Sequence, residues 1–239
     1  MTKLQPIRVE GLSRRFGDQT VLDDLDLTIH QGEFVALLGR SGSGKTTLLR
    51  TLAGLDAVEE GSVAVPRNVA VVFQESRLLP WRRVWQNVAL GLPGHDARDR
   101  AVAALEEVGL SHRLDAWPLT LSGGEAQRVG IARAMVREPD FLMLDEPFAS
   151  LDALTRLRMQ AMVSELWQKH RCAVLLVTHD VDEALLLGDR AVVLDRGRIS
   201  RSFSINMSRP RHHDDPAFAP ARKDLLASLD VFETSRNAA

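Results

Sequence analysis

The sequence contains one cysteine, no tyrosine and only four lysines in 239 residues. A single thiol, Cys172, permits no intramolecular disulfide and no cysteine-rich metal site. Long apolar runs are missing as well. The stretches at residues 173–177 and 184–187 fall far short of the roughly 18 residues a membrane span requires. The opening MTKLQPIRVE has no apolar segment of the secretory-leader kind, so a reducing, cytoplasmic setting is expected. Nor does charge of one sign dominate: the net charge is −2, which disfavours nucleic-acid binding by bulk electrostatics. What is present is ordinary for a globular chain, with 45% hydrophobic and 26% charged residues. The length suits one α/β domain carrying a subdomain.

Residues 7–12 and 25–29 alternate apolar and polar side chains and read as antiparallel strands with one buried face. Residues 34–38 form a short continuous apolar run before a glycine-rich stretch, as a fully buried strand does, and residues 45–53 read as the helix that follows. Further strands are expected at 69–73, 141–144, 174–177 and 191–194. Between about 76 and 137 the pattern turns helical, with Ala101, Ala104, Leu105 and Val108 on one face. A second helix places Met159, Met162, Val163 and Leu166 together. Strands alternating with helices imply a mainly parallel sheet, preceded by an antiparallel β subdomain and interrupted by an inserted helical one. This gives a domain over residues 1–204. Beyond it, Pro210, Pro216 and Pro220 mark a loose, short tail over 205–239, whose His212-His213-Asp214-Asp215 reads as solvated linker rather than a metal site.

Gly39-Arg40-Ser41-Gly42-Ser43-Gly44-Lys45-Thr46, followed by Thr47, fits the P-loop pattern. Glycines let backbone N–H groups close around phosphate oxygens, and the helix that starts near Lys45 adds its positive end. Lys45 supplies a point charge to the β- and γ-phosphates of a nucleotide, and the Thr46 hydroxyl suits Mg²⁺. Four apolar residues then lead to Asp145 and Glu146. A carboxylate at the C-terminal end of such a strand can hold Mg²⁺, and Glu146 can accept a proton from an attacking water. The plain alternative is that both acids merely cap the next segment. Leu121-Ser122-Gly123-Gly124-Glu125 forms a second anion-binding helix start, with Ser122 as its cap.

With these motifs the sequence resembles the ATP-binding cassette family of transporter ATPases over roughly residues 7–203. The resemblance implies a P-loop NTPase core, ATP with Mg²⁺, and a head-to-tail homodimer. In that dimer Ser122, Gly123 and Gly124 close on the γ-phosphate held by the other subunit. Glu125 stands where the family commonly has Gln and receives no phosphate role. The resemblance also assigns the remaining site residues. Gln74 senses Mg²⁺ and the attacking water, Asp152 belongs to a loop crossing the dimer interface, and His179 contacts the γ-phosphate and holds the water. Phe16 stacks on adenine, where relatives often use Tyr. From the sequence alone Phe16 is equally a core residue.

The same resemblance, at the stretches around Leu-Leu-Pro-Trp (residues 78–81), residues 151–160 and residues 174–181, is strongest to ATPases that import nitrate, taurine and sulfonates, aliphatic sulfonates first among them. It implies a peripheral subunit on the cytoplasmic face of the inner membrane. Its partners would be membrane permeases, touched near residues 74–85, and an extracytoplasmic solute-binding protein, with no nucleic acid. Trp81 and Trp85 are then interface anchors; the alternative is that both sit in the core of the helical subdomain. A soluble ATPase switch acting on nucleic acid or ribosomes is the reading of another class.

Overall fold

The computed structural model describes residues 5–234. The first four residues, within the opening stretch read above as having no secretory leader, and the last five of the tail lie outside the described residues. In chain order the elements are β1 (Ile7–Phe16), β2 (Gln19–Ile29), β3 (Phe34–Leu38), α1 (Lys45–Leu52), β4 (Glu60–Ala64) and β5 (Val69–Val72). There follow α2 (Val84–Val88), α3 (Ala97–Glu107), α4 (Gly123–Met135), β6 (Phe141–Asp145), α5 (Ala153–His170) and β7 (Ala173–Val177). The chain closes with α6 (Val181–Leu187), β8 (Arg190–Asp195), β9 (Arg198–Ser204) and α7 (Phe218–Thr234). None of these helices is long and apolar enough to cross a membrane. The chain forms two compact units, one from residues up to Pro66 together with those from Ala173, the other Arg67–Cys172.

In the first unit, β2, β1 and β4 make an antiparallel sheet. Ile7 pairs with Ile29 and Val9 with Leu27, so the alternating apolar residues share the buried face. Both strands run further than the alternation: in the added parts only Leu22 is buried, Arg15, Phe16, Gln19 and Thr20 are exposed, and no apolar period continues. In the same unit β3 runs parallel to β7 and β8, and β8 pairs antiparallel with β9. All five residues of β3 are 0% exposed, which is why the run reads as continuously apolar rather than alternating. Truncating Phe34 to Ala there costs about 3–5 kcal/mol, since the void cannot refill from either side. In the second unit β5 and β6 pair in parallel, with Val69 opposite Phe141. There α5 buries Met159, Val163 and Leu166, while Met162 is only half-buried.

Three expectations change. The stretch after residue 204 is not merely a loose tail: α7 packs Phe218 and Leu225 into the core beside α6. Strands β4 and β9 leave no sequence signal because most of their side chains are exposed. Finally, β5 ends at Val72, one residue short of the expected 69–73, and Gln74 beyond it is exposed.

Candidate functional site

In the first unit β3 delivers the chain into residues 39–44, and α1 begins at Lys45. A Cβ at Gly39 would meet the Leu194 carbonyl at 2.5 Å. Gly44, at φ 106°, has the Val21 carbonyl 2.8 Å from where its Cβ would stand. No larger residue fits either position without moving backbone. Lys45 is buried, and its Nζ donates to the carbonyls of Gly39 at 2.7 Å and Arg40 at 2.8 Å, so the ammonium lies within the loop. Ser43 Oγ is buried with no hydrogen-bond partner. An unmet buried hydroxyl costs about 1–3 kcal/mol, and a phosphate oxygen entering the loop would satisfy it. Arg40, Ser41 and Thr46 are exposed and Thr47 is half-buried.

His179 follows β7 and is exposed. It sits on a turn held on both sides. The buried Thr178 hydroxyl donates to the Glu183 carboxylate at 2.5 Å and accepts the Asp180 N–H at 3.0 Å. Asp180 caps α6 through the Asp182 and Glu183 N–H groups. Phe16 ends β1 at 52% exposure, with the Arg14 guanidinium 5.1 Å from its ring, which removes the core alternative.

In the second unit Asp145 is the last residue of β6, and Glu146 follows with φ 44°. A non-glycine residue in that left-handed region costs roughly 1–2 kcal/mol, a cost maintained at the candidate base. Ser122 caps α4: its Oγ accepts the Glu125 N–H at 3.2 Å, and Glu125 accepts the Ser122 N–H at 2.8 Å. Glu125 also takes Arg113 Nε at 2.8 Å. The Ser122 N–H first, then Arg113, holds its carboxyl below the usual range. Glu125 is thus occupied within its own unit. A Cβ at Gly124 would strike Thr155 at 2.6 Å, whereas one at Gly123 would meet nothing within 4 Å. Asp152 caps α5 through the Thr155 N–H at 3.0 Å, and the hydrogen bonding to Thr155 lowers its pKa.

Trp81 is 71% exposed and Trp85 half-buried beneath Arg98, so the core alternative fails for Trp81. Three residues that organise this stretch escape sequence reasoning. Gln127 donates to the Phe73 carbonyl at 3.0 Å, next to Gln74. Arg133 donates to the carbonyls of Ser76 and Arg77. Asn87, fully buried, accepts the Leu79 N–H at 2.7 Å and donates to the carbonyls of Leu79, Arg82 and Arg83, which shapes the turn that presents Trp81.

A family model described as ABC transporter matches residues 22–149. The aliphatic sulfonates import ATP-binding protein SsuB of Granulibacter bethesdensis is 61% identical over 233 residues, 98% of each chain. A protein named SsuB 1 from Pseudomonas fluorescens is 64% identical over 94% of this chain and 87% of its own. Among solved structures, the ATP-binding cassette MJ0796, a dimer in a post-hydrolysis state bound to ADP and Pi, superposes with a TM-score of 0.75 at 28% identity, covering 84% of this chain and all of that one. With the family match running from within β2 through Lys45 and Ser122 to past Glu146, and relatives aligned over nearly the whole length, the chain belongs to the ABC transporter family.

Proposed function

We propose that this chain is the ATP-hydrolysing subunit of an importer for aliphatic sulfonates. It would act at the cytoplasmic face of the inner membrane with separate permease subunits and an extracytoplasmic solute-binding protein. The observation that carries the solute is the 61% identity, over 98% of both chains, to a protein named for aliphatic sulfonate import. The cassette reading itself is supported by residues 39–47: a cradle that only glycine fits, a lysine inside it and an orphaned serine hydroxyl.

In this reading the loop N–H groups and Lys45 bind the β- and γ-phosphates of ATP, and Ser43 Oγ donates to a phosphate oxygen. Phe16 offers an exposed ring to the adenine. Thr46, Gln74 and Asp145 supply hard oxygen donors of the kind Mg²⁺ takes; when bound, the ion neutralises phosphate charge. Glu146 accepts the proton of the attacking water, His179 orients that water, and the charge developing on the γ-phosphate is met by backbone N–H groups. Ser122, Gly123 and Gly124 act on the nucleotide of a second copy, with Asp152 in the loop between copies. Gly123 supports this: no described residue lies within 4 Å of where its Cβ would stand, and a closely approaching ligand would use that space.

Deletion of the gene is expected to abolish growth on an alkanesulfonate as sole sulfur source and to spare growth on sulfate. A Lys45→Ala copy should not restore growth. Normal alkanesulfonate use with loss of taurine or nitrate uptake would leave the ATPase reading standing and replace the solute.

A further inference from the structure

The segment between β9 and α7 carries two arginines whose side chains turn inward. Arg211 is 8% exposed, unusual for a residue that normally keeps its head in water. Its Nε donates to the Met207 carbonyl at 2.9 Å, Nη1 to those of Leu185 at 2.8 Å and Gly188, and Nη2 to that of Ile205 at 3.2 Å. Arg209 donates to the Leu187 carbonyl and pairs with Asp189. Leu185, Leu187 and Gly188 form the C-terminal end of α6, where carbonyls have no partner within the helix and a cation is favoured. Burial first, and Arg209 second, lowers the Arg211 pKa to about 10, which leaves it charged at neutral pH. A buried charge persists only when its donors are met. Here a rigid fork of N–H groups meets four carbonyls, from the end of α6 and from the segment that leads to α7.

α6 has seven residues. A helix so short has no independent stability and lies where its two ends are held. Its N-terminal end is the Asp180 cap, one residue after His179. Its C-terminal end is the arginine clamp, and Ala184 and Leu185 between them pack with Phe218 and Leu225 of the tail.

We propose that Arg211 is a positioning residue for ATP hydrolysis: it fixes the far end of α6, and α6 sets where the His179 imidazole stands. The proposal rests on the reading of His179 as a residue that acts at the γ-phosphate. It gives the segment after residue 204 a task in turnover as well as in folding.

The test compares Arg211→Gln, Arg211→Lys and His179→Ala in the full chain. It measures kcat and KM for ATP, the melting temperature, and the imidazole signals of ¹⁵N-histidine-labelled protein. Arg211→Gln is expected to lower kcat about tenfold, less than the roughly 10²–10⁴-fold of a lost general acid or base because the imidazole is displaced rather than removed, with KM within about twofold. The His179 signal should shift while that of His112, in the other unit, stays. Arg211→Lys keeps the charge but not the fork, and should recover part of kcat. If Arg211→Gln does not fold, Arg211→Lys is read by the same criteria. An unchanged kcat, an unmoved His179 signal, or kcat and KM that change together with lost melting temperature would overturn the proposal. Full turnover by His179→Ala would instead overturn the His179 reading beneath it, and is recognised without any Arg211 variant.

Discussion

The two glycine-rich helix starts of this chain differ in what demands their glycines. At residues 39–44 the demand is internal: Gly39 and Gly44 lie against carbonyls of Leu194 and Val21, and Lys45 already donates within the loop. At Ser122 the capping box is closed by Glu125, yet a side chain at Gly123 would meet open space. Glycine disfavours a helix by about 1 kcal/mol against Ala, and none of the described residues crowds the place of a Gly123 Cβ. The first loop closes on its own backbone; at the second, the position of a Gly123 Cβ leaves room for an approaching group.

The sharpest way to isolate chemistry from both cradles is Glu146→Gln. The amide keeps shape but accepts no proton, and hydrolysis should fall about 10²–10⁴-fold while ATP still binds. The ATP-bound protein should then accumulate as a dimer by size-exclusion chromatography; near-normal turnover would remove Glu146 from its role. The comparison itself breaks or holds on a pair of variants. Gly44→Ala should abolish ATP binding by the isolated chain. Gly123→Ala should keep that binding, raise stability by up to about 1 kcal/mol, and lose turnover because the second copy cannot close. Equal loss of ATP binding in both would make the second loop a cradle like the first.

Smaller effects test the surroundings. Trp81→Ala should weaken association with permease subunits by about 2 kcal/mol or more and leave ATP binding by the isolated chain intact, measured by co-purification and nucleotide titration. Undiminished co-purification of the variant with permease would remove Trp81 from that interface. Least of all, Glu125→Ala should cost about 1 kcal/mol in urea denaturation and not change ATP affinity. The Glu125 carboxyl titrates below its ordinary 4.5 in the folded protein. Its contribution is therefore fully present above pH 4.5 and lost as pH falls through the lower folded value, so wild type and variant should converge in acid.

The sequence made β3 and the loop after it readable because two demands coincide there: a strand buried on both faces is apolar throughout, and a phosphate cradle needs glycine at fixed spacing. Legibility declined wherever exposure replaced burial. The outer ends of β1 and β2, where Leu22 alone is buried, and all of β4 and β9 carry no apolar period. Prolines 210, 216 and 220 concealed α7, although Phe218 and Leu225 stand seven apart on one buried face. The candidate site residues could be placed along the chain from their motifs. The residues that hold them could not: Gln127, Arg133, Asn87 and Arg211 all bond to backbone carbonyls. Any residue type offers such a carbonyl, so the partner leaves no trace in the sequence.

The left-handed backbone of Glu146 sets folding and selection for activity in opposition. A library screened for thermal tolerance alone should drift toward glycine at position 146, since glycine enters that region of backbone space without penalty, and under the proposed role of Glu146 every such winner would lose turnover. The same position kept as glutamate in a population under selection for growth on sulfonates would report that turnover, not robustness, governs that codon. A ratio of the two outcomes, counted by sequencing, converts one dihedral angle into a measure of what the cell requires from the protein.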